Sequence, residues 1–181
     1  MKSPEHSRMK MMQVLRCSAT GLVMLLLAAC QQENATLAAE DAVAGQNSEQ
    51  VALEVLKSPT CACCELWIDH MSSNGFMSQI SHPQDLTERK LALGIAPQYQ
   101  SCHTAISREG YVFEGHVPAH LVQQFLQEKP ANAIGLAVPG MPLGSPGMEM
   151  GDQFQPYDVV MLMNDGSAQV YASITEQDQQ Y

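Results

Sequence analysis

Val51-Ala52-Leu53-Glu54-Val55-Leu56-Lys57-Ser58-Pro59-Thr60-Cys61-Ala62-Cys63-Cys64-Glu65-Leu66-Trp67-Ile68 is the stretch on which the fold turns. Its first six residues alternate enough for a strand, and Lys57-Ser58-Pro59-Thr60 forms the turn after it. From Cys61 onward Leu66, Trp67, Ile68 and Met71 recur at helical spacing, and the run stops near Asn74-Gly75. Three cysteines therefore open a helix that follows a strand. A helix N-terminus offers unpaired N–H groups and the positive end of the dipole, which stabilise a thiolate. Two chemistries are open at this point. Cys61 and Cys64 have the C-x-x-C spacing of a catalytic redox dithiol, while Cys61, Cys63 and Cys64 together make a soft, crowded thiolate cluster suited to Cu(I).

Downstream, Phe76 to Ile80 reads as a second strand and Gln84 to Leu93 as a second helix ending at Gly94. Thr104–Ser107 and Tyr111–Phe113 flank the turn Arg108-Glu109-Gly110 as a hairpin. Pro118 to Gln127 is a third helix, with Pro at its start and Pro130 beyond its end. A Gly/Pro/Met-rich loop spans Ala137 to Gly151, and Tyr157–Met163 and Ala168–Ile174 form a last hairpin across Asn164-Asp165-Gly166. The order predicts an α/β fold: a thioredoxin-like domain with a C-terminal Met/Gly/Pro-rich loop and β-hairpin extension. Such a domain would place a proline opposite the dithiol, just before the third strand. Here that place holds Gln100-Ser101-Cys102-His103-Thr104, and Pro97 lies several residues too early. A fourth thiol and an imidazole offer little to a dithiol enzyme, but they give a metal site two more ligands.

The N-terminus sets the compartment. Lys2, Arg8, Lys10 and Arg16 precede the apolar run Gly21 to Ala29, the pattern of a secretory signal over residues 1–29. The run falls roughly ten residues short of the about 20 that span a bilayer. Leu27-Ala28-Ala29-Cys30 resembles a lipobox, so Cys30 is the expected lipidation site and the membrane anchor. Gln31 is compatible with delivery to the outer rather than the inner membrane, on the periplasmic side. Residues 30–50, rich in Gln, Glu, Ala and Asn, read as the lipidated cysteine and a flexible tether. The remainder divides into a core over 51–130, an extension over 131–175 that completes a metal site, and a tail over 176–181. Losing 1–29 removes four basic residues and one acidic residue, leaving five basic against eighteen acidic, a net charge of −13. Such a surface excludes nucleic acid and favours cationic partners. The chain is expected to act as a monomer.

Five ordered motifs carry a resemblance. They are Thr60-Cys61-Ala62-Cys63-Cys64, Ser101-Cys102-His103-Thr104-Ala105, Glu114-Gly115-His116-Val117-Pro118-Ala119, Gly135 to Pro142, and Gly144 to Glu149. Over residues 51–174 they are similar to the CopG-type periplasmic copper-resistance proteins. The resemblance implies a thioredoxin-like domain whose C-terminal extension completes a cysteine-bridged multicopper site. It also implies a role in interconverting Cu(I) and Cu(II) during detoxification.

The metal-ligand candidates follow from donor type. Bridging thiolates from Cys61, Cys63 and Cys64 let several cuprous ions share few ligands, with Cys102 as the fourth sulfur. His116 follows Gly115, which permits a close turn. His103 is less direct, because strand alternation points Cys102 and His103 to opposite faces. His120, His70 and His82 read as solvated. Met71, Met161 and Met163 belong to regular elements and to packing. Met148 and Met141, then Met150, occupy a loop with no regular face to fill and can cap Cu(I). Glu149 is a harder ligand or an acceptor for an imidazole N–H. The expectation is a copper-binding protein of copper resistance that serves periplasmic copper-efflux components. A non-catalytic copper store or carrier and a thiol–disulfide oxidoreductase using Cys61 and Cys64 are the alternatives. Four-coordinate zinc would need neither the third clustered cysteine nor the methionine loop.

Overall fold

The computed structural model describes residues 50–181. The signal over 1–29, Cys30, and all but the last residue of the 30–50 tether lie outside the described residues. The elements are β1 (Val51–Lys57), α1 (Ala62–Ser73), β2 (Phe76–Ser81), α2 (Leu86–Ala92), β3 (His103–Ser107), β4 (Val112–Glu114), α3 (Ala119–Glu128), β5 (Ala133–Ala137), β6 (Tyr157–Met163) and β7 (Ala168–Ile174). Short 3-10 turns occupy Pro97–Tyr99 and Gln177–Gln180. Among the described residues no helix is long and apolar enough to cross a membrane.

One seven-stranded sheet runs in the order β2-β1-β3-β4-β5-β6-β7. β1 and β2 pair in parallel around α1, while β3 pairs antiparallel with both β1 and β4. Helix α3 then returns the chain so that β5 lies parallel to β4, and β5, β6 and β7 continue antiparallel. This is the thioredoxin-like arrangement expected from the sequence. The C-terminal hairpin extends the same sheet instead of standing apart.

Sequence periodicity leaves residues 131–136 without an element, yet β5 begins there and joins the hairpin to the core. Its interior glycine argues against a strand by composition. The structure shows why glycine is needed: a Cβ on Gly135 would overlap the Val112 carbonyl oxygen of the neighbouring strand. Successive side chains of β4 and β5 then divide between two apolar cores. Phe113 and Leu136 join Leu53, Val55 and Val159 under Trp67 and Met71 of α1 and Val122 and Phe125 of α3. Val112 and Ala137 face the other way and pack with Leu162 and with Ile95 from the segment after α2.

Helix α1 buries Cys64, Trp67 and Met71, one stripe at i, i+3 and i+7. The indole N–H of Trp67 donates to the Val117 carbonyl at 2.9 Å, which fixes the stripe and with it the position of Cys64. Helix α2 starts where the Asp85 side chain accepts the Glu88 N–H at 2.8 Å. Its one buried residue is a lysine, Lys90.

Candidate metal centre

Cys61 is the N-cap residue of α1, so its sulfur and those of Cys63 and Cys64 surround the first turn. Cys61 and Cys64 form a disulfide, with Cα atoms 5.4 Å apart. Cys63 and Cys102 are free thiols, and the Cys61 and Cys63 sulfurs are 3.6 Å apart. The sulfurs of Cys61, Cys63, Cys64 and Cys102 all lie within 4.8 Å of one another. A second group, Cys102, His103 and His116, meets the same separation. Cys102 belongs to both.

The expected divergence of Cys102 and His103 does not occur. Strand β3 begins at His103, so Cys102 lies in the bend before it and is outside the pleat. Both side chains converge: the Cys102 sulfur is 3.3 Å from His103 Nδ1 and 3.1 Å from His116 Nε2. A strand boundary displaced by one residue changes which face a side chain meets.

A hydrogen bond to the backbone fixes the tautomer of His116. His116 Nδ1 lies 2.8 Å from the Pro146 carbonyl, which only accepts, so Nδ1 carries the proton and Nε2 turns a lone pair to Cys102. Burial, then the charge of Cys63, pushes the Cys102 thiol up to about 12, and burial pulls His116 down. Without metal the two are therefore neutral, with the thiol S–H donating to His116 Nε2. His103 is fully buried against Trp67, with ring centroids 4.4 Å apart, and against His116 at 5.1 Å. Burial first, then the charges of His116, Lys90 and Lys57, holds it well below the usual imidazole range. Its Nε2 has no hydrogen-bond partner. A buried polar atom left unmet is costly in a merely structural histidine, and such atoms gather at functional sites. Four sulfurs and two imidazoles are soft and borderline donors, a set that fits copper.

The residues that hold Cys102 in place are not among the predicted metal ligands. Glu114 is fully buried, and its Oε1 accepts the Ser101 N–H at 2.7 Å and the Lys90 ammonium at 2.5 Å. Its Oε2 accepts the Thr104 hydroxyl at 2.5 Å. Lys90 also donates to the Ser101 carbonyl at 2.6 Å. One carboxylate thus grips both sides of the Cys102-His103 bend. Burial raises the proton affinity of Glu114 against the Lys90 ammonium and these hydrogen bonds. Gly115 completes the turn, since a Cβ there would come within 2.6 Å of the Ser101 side chain.

The methionine loop reaches the cluster through a glycine. At Gly147 (φ +86°) an added Cβ would lie 2.6 Å from Trp67 N and 2.8 Å from the Cys63 carbonyl oxygen. The loop backbone therefore rests directly on the first turn of α1. Met148 follows it and is half-buried, whereas Met141 and Met150 are 53% and 60% exposed. Glu149 has other partners than an imidazole: its carboxylate accepts the Gly147 N–H at 2.8 Å and the Tyr181 hydroxyl at 2.6 Å. The acceptor for the His116 N–H is the Pro146 carbonyl. Residues 176–181, expected as a tail, are docked. Gln180 is fully buried, donates to the Gly144 carbonyl at 2.5 Å and accepts the Tyr157 hydroxyl at 2.7 Å. His70, expected at the surface, is half-buried, and its Nε2 accepts the Ala119 N–H at the start of α3. Gly147→Ala is expected to lift the loop from α1, through both the clash and the left-handed backbone. Unfolding curves should show a loss of about 1–3 kcal/mol, and copper should be held less tightly by competition with a chelator. A variant as stable and as tight as the parent would show that the close approach has no bearing on the site.

A family model described as "Protein of unknown function, DUF411" matches residues 99–148. That span contains Cys102, His103, Glu114, His116 and Met148. No curated protein matches the chain. Two solved structures of the copper resistance protein copG do, Form 1 at 41% identity and Form 2 at 40%, each with a TM-score of 0.65. Each alignment covers 70% of this chain, with 98% of the Form 1 chain and 99% of the Form 2 chain. With the thioredoxin-like sheet, the Cys61-Ala62-Cys63-Cys64 cluster and relatives at this identity over nearly their whole length, this chain belongs to the CopG family of copper resistance proteins.

Proposed function

We propose that this chain is a periplasmic copper-binding lipoprotein of copper resistance that interconverts Cu(I) and Cu(II) at a cysteine-bridged multicopper site. Cys61, Cys63, Cys64, Cys102, His103 and His116 would hold the metal, with Met148 and then Met141 as thioether donors at the rim. The observation that carries this reading is the overlap of a four-sulfur group and a sulfur–imidazole group at Cys102. Thiolates favour Cu(I) and imidazoles accept both states, so a site offering both can serve both oxidation states. Lipid at Cys30 would anchor the protein, as a monomer, to the periplasmic side of the outer membrane, and efflux components would take up the copper it has converted. Each conversion moves one electron to or from a partner.

The test is the copper-to-protein ratio of fully reduced protein, loaded anaerobically, together with its visible spectrum before and after air. More than one copper per chain and a reversible, oxygen-dependent spectrum are expected. A colourless protein that binds less than one copper would sink the proposal. The Cys61–Cys64 disulfide favours one other reading, thiol–disulfide exchange. Insulin reduction by metal-free protein, lost in Cys61→Ser and kept in Cys102→Ser, would support it.

A further inference from the structure

The geometry points to a site whose copper capacity is set by the Cys61–Cys64 disulfide: a single copper at Cys102, His103 and His116 while the bond is intact, and several once it is reduced. This inference rests on the multicopper reading above and adds a rule for when that site exists.

The two donor groups share only Cys102. A thiolate, not a disulfide sulfur, is the metal ligand. The disulfide therefore withdraws Cys61 and Cys64 from the four-sulfur group and leaves Cys63 and Cys102 as its only thiols. Two thiols hold fewer metals than four, and with Cys102 taken up by the imidazole group Cys63 alone does not complete a second site. The other group is untouched, since neither His103, His116 nor Cys102 takes part in the bond. Two imidazoles with one thiolate are a donor set for a single copper ion that passes between oxidation states. The His116 tautomer is fixed for it by Pro146, with Nε2 toward the Cys102 sulfur. Both bonded cysteines lie in or beside the first turn of α1, whereas Cys102, His103 and His116 come from the β3 and β4 side. Opening the bond therefore adds donors without dismantling the second group.

Reduction needs a dithiol reductant. Cys61 is partly exposed and Cys64 fully buried, so the incoming thiolate attacks the Cys61 sulfur and Cys64 leaves as thiolate. The second thiol of the reductant then displaces Cys61 from the mixed disulfide. Two electrons pass to Cys61 and Cys64, the reductant ends as a disulfide, and its two protons end on the two cysteines, to be released when copper binds.

The experiment compares protein with the disulfide intact, verified by the mass of the alkylated chain, with protein reduced by dithiothreitol and freed of it. Both are titrated anaerobically with Cu(I), desalted and assayed for copper. The disulfide form should retain one copper and the reduced form more than one. The double variant Cys61→Ser/Cys64→Ser should retain one with or without reductant. Loaded with Cu(II), it should show a thiolate-to-copper absorption that His116→Ala weakens. Equal copper in the two forms of the parent, or none in the disulfide form, overturns the inference. The two failures are separable. A reduced form that binds several coppers beside a disulfide form that binds none leaves the multicopper reading standing, whereas a reduced form limited to one copper removes both.

Discussion

Glu114→Ala is expected to destabilise the protein by about 3–5 kcal/mol, lowering the unfolding midpoint by roughly 10–20 °C. The carboxylate is fully buried and so is its partner, with Lys90 only 2% exposed. Truncating Glu114 leaves an ammonium in the interior with the Ser101 carbonyl as its one remaining acceptor at 2.6 Å. It also strips the Ser101 N–H and the Thr104 hydroxyl of their acceptor. Lys90→Met should cost a similar amount by stranding the carboxylate. The double variant Lys90→Met/Glu114→Met tests what the pair is for. Replacing both charges with apolar side chains removes the unpaired ion, so most of the stability should return. The grip on the Cys102-His103 bend should not return, because neither methionine can hold both Ser101 and Thr104. Thermal unfolding and copper retention measured on the same samples would separate the two effects. A Glu114→Ala protein within 1 kcal/mol of the parent would show that the pair behaves like a surface ion pair.

The cysteine trio and its place at the head of α1 were legible in the sequence because both follow from local pattern. An alternating apolar run, a Pro turn and a helical stripe through Trp67 and Met71 need no tertiary information. The nearness of Cys102 to the trio was also legible, from its position just before a strand. What could not be read was set by contacts between elements. Lys90 stands in Thr87-Glu88-Arg89-Lys90, a charged run that reads as a solvated helix face, and only the approach of β4 buries it. Glu114 was part of a recognised motif, but its sequence neighbours do not disclose that it reaches Ser101 and Thr104. β5 was hidden by Gly135, whose meaning is the closeness of the Val112 backbone. The polar stretch Gln177–Gln180 reads as a tail, although Gln180 locks the Gly144 carbonyl to Tyr157. Convergence of Cys102 and His103 depended on where β3 begins, and element boundaries are the least certain part of any pattern reading.

Cys102→Ser should remove more copper than substitution of any single cysteine in Cys61-Ala62-Cys63-Cys64. Each of Cys61, Cys63 and Cys64 belongs to the four-sulfur group alone, so its loss leaves Cys102, His103 and His116 intact. Cys102 is common to both groups, and its sulfur lies 3.1 Å from His116 Nε2 and 3.3 Å from His103 Nδ1. A serine hydroxyl is a hard, neutral donor that does not replace a thiolate on Cu(I). Removal of a residue that merely orients a ligand costs roughly 10–100-fold in metal affinity, so loss of the shared ligand itself should weaken retention by at least about 100-fold. The fold should tolerate the change, because the hydroxyl is smaller and can still donate to His116 Nε2. Unfolding midpoints of Cys102→Ser and the parent are therefore expected to agree within a few degrees, and competition with a Cu(I) chelator should report the loss in every redox state of the Cys61–Cys64 pair. If Cys102→Ser retained as much copper as Cys63→Ser, the two donor groups would have to function separately, and the sharing of one sulfur would be geometry without consequence.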